Sequence, residues 1–486
     1  MTNDEPAPPR FPKSLMRRSL ASVALLLAAP LGAQSSPLTP HQQLARSVYE
    51  ELVEINTVDS VGNVTTAARA MAKRFRDAGF PASDVQVLVP PNHPDKGNLV
   101  VRYHGRAPNG SKPILLLAHL DVVAANRADW PRDPFTLHEE NGYFLGRGTS
   151  DDKAMAAIFV ANMLDWKKEG WVPERDVVLA LTADEEGGPA NGAEWLATEH
   201  KPLIDAAYAI NEGGGGTLTP DGKPLFHSIQ ATEKVYTDYT FTVTNPGGHS
   251  SVPRPDNAIY QLAEALGRVQ HYTFPVALNP ITRGFFEQTA KVETRPEMAA
   301  AMRALAANPA DATAAATLSK DDRYASMLRT SCVATRLAGG HANNALPQRA
   351  TANVNCRIAP TSTSLETLAA LQRAVGDTGV KIEIVGAPRV GATPSAIDPG
   401  LLGAVTSLTK QTWGDIPVIP TMSTGATDGR PLRAAGIPTY GVSGLFSVPG
   451  EGNAHGRDEK LRVKSFYDGL SFLDQLVRRV AGSPKA

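Results

Sequence analysis

Short, wholly apolar runs alternate along the chain with longer segments whose apolar residues recur every three to four positions. Residues 114–118 are apolar without a break, too few for a confident helix, and the run predicts a strand buried on both faces. Residues 177–182, 206–210 and 439–442 have the same character. Between them, Leu44, Val48, Leu52 and Ile55 mark a first helix, a second covers about 66–78 before Gly79, and a third spans 153–169. Strand and helix in alternation predict an α/β domain with a mainly parallel sheet. The pattern changes after about residue 231. Residues 235–244 alternate as an antiparallel strand does, a helix follows at 257–269, and 273–329 are alanine-rich and helical in pattern. Strands at 330–337 and 351–358, a helix at 364–375 and a strand at 381–385 complete an α+β unit. Residues 386–399 form a linker, and α/β character resumes from 401 to a last helix at 465–480. The expected organisation is an α/β domain in two parts, 34–232 and 393–486, with a smaller α+β domain, 233–392, inserted into it.

The apolar runs end in chemistry. The first stops at His119 and Asp121, the second at Asp184, Glu185 and Glu186, the third at Asn211 and Glu212, and the last leads to His455. Residues 146–153, with Asp151 and Asp152, are placed to begin the third helix. Ligands in open parallel sheets bind beyond the carboxyl ends of the strands. Imidazole is a good zinc ligand, and a nearby carboxylate can fix its tautomer. One His-x-Asp pair after a strand is an ordinary polar loop. Four strand ends and one helix start that each deliver a histidine or a carboxylate point to a site.

Composition narrows the partners. The 486 residues carry a formal net charge of -1, with 42% hydrophobic and 20% charged residues, which gives no basis for binding nucleic acid or an anionic membrane. At the N-terminus, Lys13, Arg17 and Arg18 precede an apolar stretch at 20–29 and a small-residue exit ending at Ala33. This predicts a signal peptide over 1–33 and a periplasmic or secreted protein. The apolar run is too short for a spanning helix. The two cysteines, Cys332 and Cys356, lie in runs that could be antiparallel neighbours, and either a disulfide or two buried thiols fits.

The segments AHLDVV (118–123), GRGTSDDK (146–153), TADEEGG (182–188), NEGG (211–214) and GGHSSVP (247–253), with a late histidine, resemble the di-zinc peptidase family M twenty. The details are most similar to the branch of carboxypeptidase S and the secreted N-acyl amino acid hydrolases. The resemblance implies a di-zinc catalytic domain and an inserted lid or dimerisation domain, and so admits a homodimer. It makes Asp151 the bridge between two zinc ions, with His119 and Glu212 completing one site and Glu186 and His455 the other; cobalt or manganese could substitute. Glu185 becomes the general base and Asp121 the residue that orients His119. His249 would stabilise an oxyanion, while Asn344, Arg357 and the turn at Gly425 would hold the substrate. The Asp151–Asp152 peptide is often cis in this family. The late histidine lies in residues 452–459 without the common Pro-Asn-Glu context. The implied activity is hydrolysis of the amide next to a C-terminal amino acid in a peptide or N-acyl amino acid. The alternatives are a deacetylase or desuccinylase of an amino-acid intermediate, and a metal-free binding module on the same fold.

Overall fold

The computed structural model describes residues 37–106 and 111–482. The expected signal peptide lies outside the described residues. No helix among those described is long and apolar enough to cross a membrane.

The large sheet is mixed. Its strands lie in the order Val85–Leu88, Asn98–Tyr103, Val177–Thr182, Ile114–His119, Tyr208–Asn211, Thr439–Gly441, Pro224–Glu233, Gly215–Leu218 and Phe446–Ser447, with Val418–Ser423 beside Pro224–Glu233. The four central strands, from Val177–Thr182 to Thr439–Gly441, run parallel. All six residues of Ile114–His119 are buried, as the unbroken apolar run requires. Its alternate side chains enter different cores. Ile114, Leu116 and Ala118 pack with the helices Pro40–Glu54, Lys153–Glu169 and Val463–Gly482. Leu115 and Leu117 pack with the helices Gly192–Glu199 and Gly429–Ala434 on the opposite face.

The helix Lys153–Glu169 is apolar nearly all round and sits deep in the first core, so it has little scope to shift. It ends at Gly170, whose φ of 71° is the left-handed turn that glycine adopts without strain. The first helix begins with a capping box, Thr39 and Gln42 satisfying each other's free amides ahead of Pro40.

A second, wholly antiparallel sheet has the order Ser331–Gly339, Arg349–Ile358, Val235–Thr244 and Val380–Ile384. One face packs on the helices Ala258–His271 and Ser364–Val375. Cys332 and Cys356 stand opposite each other on adjacent strands and are joined as a disulfide, which decides between the two alternatives left by the sequence. The helices between Pro280 and Leu328 pack elsewhere. Their aromatic and methionine side chains share a core with Phe226, Ile419 and Met422 of the large sheet, and they cover the strand Val418–Ser423, whose edge would otherwise be open to another chain.

Candidate metal centre and active site

The strand ends converge. His119 closes its strand with its ring buried, and Nε2 lies 3.0 Å from Asp151 Oδ1 and 3.8 Å from Glu212 Oε2. Asp151 reaches the other way as well. Its Oδ2 is 3.2 Å from His455 Nε2, which lies 2.9 Å from Glu186 Oε2. Two triads therefore share Asp151: His119, Asp151 and Glu212, and Asp151, Glu186 and His455. Within each, one ligand atom per residue lies within 4.8 Å of the others. All five ligands suggested by the sequence are brought together.

The loops that present them are tied to one another. Asp121 does so in two ways. Its main-chain oxygen lies 3.0 Å from His119 Nδ1, while its carboxylate oxygens accept the amides of Glu185 and Glu186 at 3.1 and 3.0 Å. The carboxylate itself stands 3.6 Å from the ring nitrogen. Asp121 thus holds the ring mainly through its backbone and uses its side chain to fix the turn that carries the two glutamates. Lys96 braces that turn from behind, with Nζ 2.8 Å from Asp184 Oδ1, both side chains buried. Asp184 has a φ of 57°, and a Cβ at Gly188 would fall 2.3 Å from its carboxylate. Glycine is needed there for the close approach.

Glu459, four residues after His455, is the residue that sequence reasoning missed. Buried, it accepts hydrogen bonds from the amides of Gly148, Ser150 and Asp151, from Ser150 Oγ and from Arg147 Nη1, at 2.7–3.1 Å. It clips the histidine loop to the loop that carries Asp151. The Asp151–Asp152 peptide is cis. Lys153, also unremarked in the sequence, is wholly buried with Nζ on the Ile55 carbonyl at 2.9 Å, and burial lowers its ammonium to about 7. Nothing local in the sequence signals the role of Glu459, whose partners are far away along the chain.

The electrostatics show a site rich in negative charge. Burial, and then the charge of Glu185, pushes the Glu212 carboxyl well above its usual range. Burial does the same to Glu185. Hydrogen bonds to Asp151 and Glu186 raise His455 to about 10. Burial also works to raise Asp151, but its hydrogen bonds to His119 and His455 prevail and hold it below the ordinary carboxylate range. Protonated imidazoles are here the only positive charges facing three acids among the described ligand groups, and Glu212 Oε1 is buried without a hydrogen-bond partner. Oxygen and imidazole donors so arranged match the needs of two divalent cations.

The other suggested residues fall outside this cluster. His249 lies exposed on the short strand Gly248–His249, paired with Ala345–Leu346, and its Nδ1 is 2.7 Å from Ser251 Oγ. Asn344 is its neighbour, its carbonyl accepting the Ser250 amide at 3.0 Å. Arg357 lies on the open face of the antiparallel sheet, 4.8 Å from the centre of the Tyr236 ring. The Gly425 amide, in the turn expected to help hold the substrate, donates to Ser423 Oγ at 3.0 Å because the turn closes on itself.

Comparison with known proteins agrees with this geometry. Residues 115–479 match the model of peptidase family M20/M25/M40. The chain is 28% identical over 379 residues to a probable carboxypeptidase S-like 2 of Dictyostelium discoideum, covering 76% of this chain and 71% of that protein. It is 27% identical over 380 residues to the human N-fatty-acyl-amino acid synthase/hydrolase PM20D1, covering 76% and 74%. Its fold is similar to that of an M20 family metallo-carboxypeptidase from Sulfolobus solfataricus, with a TM-score of 0.69 at 17% identity over 90% of this chain and 98% of the other. The paired triads at the strand ends and the family match over most of the chain lead to one conclusion: this protein is a hydrolase of peptidase family M20/M25/M40.

Proposed function

We propose that the chain is an exported zinc hydrolase that cleaves the amide bond next to a C-terminal amino acid, in a peptide or an N-acyl amino acid. The observation that carries this reading is the shared position of Asp151, within reach of both histidines and between two further acids. In this proposal His119, Asp151 and Glu212 hold one zinc ion, and Asp151, Glu186 and His455 the other. Bound there, the pair supplies Lewis acidity to the amide carbonyl and makes a nearby water more acidic.

The chain's own residues do the rest. Glu185, whose amide is fixed by Asp121, takes a proton from the attacking water and returns it to the leaving amine. Its buried setting favours proton uptake. Arg357 binds the substrate's free carboxylate, aided by Asn344 and by the Gly425 amide exchanging Ser423 Oγ for a substrate oxygen. His249 donates to the oxyanion of the tetrahedral intermediate. His249 and Asn344 sit together apart from the triads, so they act in a homodimer in which the short ribbon that carries them serves the other subunit. The strand Ser331–Gly339 supports such an assembly, being an open edge with Val333 and Leu337 58% and 70% exposed. The disulfide supports export, since such bonds persist in oxidising compartments.

Metal analysis, together with turnover of N-acyl amino acids and dipeptides, tests this function. Two zinc ions per chain are expected, with activity on free C-termini that amidation removes and N-acylation does not. Glu185→Gln should keep its metal and lose roughly 10²–10⁴-fold in kcat. A preference for free N-termini, indifferent to amidation, overturns the substrate assignment.

A further inference from the structure

Lys234 joins the two sheets, between the strands Pro224–Glu233 and Val235–Thr244. Its side chain is completely buried, yet Nζ meets no carboxylate among the described residues. Its one side-chain hydrogen bond among the described residues goes to Ser331 Oγ at 3.3 Å. Isolated buried cations are costly, and proteins place them almost always against an acid. Here a neighbouring charge makes matters worse. Burial, and then the positive charge of Arg357, lower the Lys234 ammonium to about 8.

Arg357 feels the charge of Asp238 but makes no ion pair with it. It stacks on Tyr236 but donates to no carboxylate among the described residues. Asp238, the acid on the same face, gives its oxygens to Tyr236, Asn353 and Asn355. Glu233, next in sequence to Lys234, is occupied by Arg433 and Thr427.

The sheet register places these groups in one row. Ser331 stands directly across from Arg357, and Arg357 across from Tyr236. Directly opposed residues share a face with Cβ atoms about 4.5–5.5 Å apart. The next pair along, Cys332 and Cys356, is the disulfide, and it pins the register on the buried side. Ser331 belongs to an edge strand that would otherwise be free to slip. A hydroxyl that accepts from Lys234 keeps its own proton to donate. The Lys234 amide donates to the Ser423 carbonyl at 3.0 Å, so the row adjoins the turn of Gly425. From there the chain runs to Asp428, which hydrogen-bonds Thr182 Oγ1 at the end of a site strand.

We infer that Ser331 Oγ and the Arg357 guanidinium form a two-pronged carboxylate subsite, with buried Lys234 as the positioning charge that polarises Ser331. The inference rests on the carboxypeptidase or aminoacylase reading above and adds two residues to its anchor. The carboxylate supplies the direct ion pair that the protein withholds. The free enzyme bears the cost of an unpaired cation, and the substrate relieves it.

Calorimetric titration of the zinc-loaded protein tests this. The probes are leucine, phenylalanine and glutamate, each against its own α-amide, so that contacts other than the carboxylate are common to both. Wild type should bind at least one free acid about 10- to 150-fold more tightly than its amide, the worth of a charged hydrogen bond. Lys234→Met and Ser331→Ala should each lower the ratio several-fold, Arg357 retaining part of it, with amide affinity unchanged. Lys234→Met should also melt no lower than wild type, because it removes an uncompensated buried charge; a lysine with a structural role would lower Tm. An acid-to-amide ratio that survives both substitutions, or a marked fall in Tm for Lys234→Met, overturns the inference. A wild-type ratio near one in a protein that hydrolyses N-acyl amino acids overturns this anchor alone. A large ratio without amide hydrolysis overturns the function and leaves the anchor standing.

Discussion

The two triads are built from the same kinds of ligand but on different supports. His119 stands at the end of a fully buried strand, its side chain 1% exposed. His455 sits on a surface loop, its side chain 55% exposed. That loop holds Asn453, His455 and Asp458 with φ between 51° and 63°, a region that non-glycine residues enter at some cost. The strand needs no help, because hydrophobic packing on both faces fixes it. The loop depends on Glu459, which turns a run of otherwise local strain into an attachment to the Asp151 loop. One half of the centre is therefore stabilised by core packing, and the other by a buried network of hydrogen bonds. The second kind of support is more easily lost.

Removing either histidine should break the symmetry of the centre. His119→Ala takes a ligand from the buried triad and the brace of Asp151 together, and we expect turnover to fall by roughly 10³-fold or more. His455→Ala should retain one metal ion per chain on elemental analysis while losing activity to a similar extent. If His455→Ala kept two tightly held ions, the loop histidine would be no ligand. A smaller effect is expected from Glu459→Gln, which leaves every ligand in place but weakens the clip. A loss of about 10- to 100-fold in kcat/KM or metal affinity is the usual consequence of disturbing such supporting groups. Metal retention during dialysis should show the loss confined to one ion.

The mildest test uses pH. In the metal-free centre His455 has its pKa raised to about 10 by its hydrogen bonds to Asp151 and Glu186. Metal must displace that proton, so below pH 10 binding at this triad releases it. Apparent affinity should therefore rise by about tenfold per pH unit up to that point. The sign is the same for folding. A histidine whose pKa is raised in the folded state contributes stability that is complete below about 6.5, the value in the unfolded chain, and is lost as pH rises through 10. Zinc titrations at pH 6, 7 and 8 measure the slope, and a flat response would mean that His455 is already neutral.

The legibility of the sequence follows the same division. Runs such as Ile114–His119 and Val177–Thr182 were plain because a strand buried on both faces has no choice but to be apolar. Their polar ends stood out for the same reason. Glu459 was not legible, since a carboxylate that binds backbone amides carries no side-chain signature, and its partners lie some 310 residues away. Nor could the sequence foresee that Asp121 would direct its carboxylate to the amides of the glutamate turn.

By itself, then, the sequence determined the central strands, the main helices and the polar strand ends, because periodicity and the polar ends of apolar runs are local properties of the chain; the family resemblance chose the five ligand candidates among those ends. It also limited the cysteines to two alternatives. Tertiary structure alone decided that Cys332 meets Cys356, that Ser331 stands opposite Arg357, and that Lys234 is buried with no acid paired to it among the described residues. Register and desolvation depend on which distant strand comes alongside, and that is settled by packing over the whole sheet rather than by any one segment.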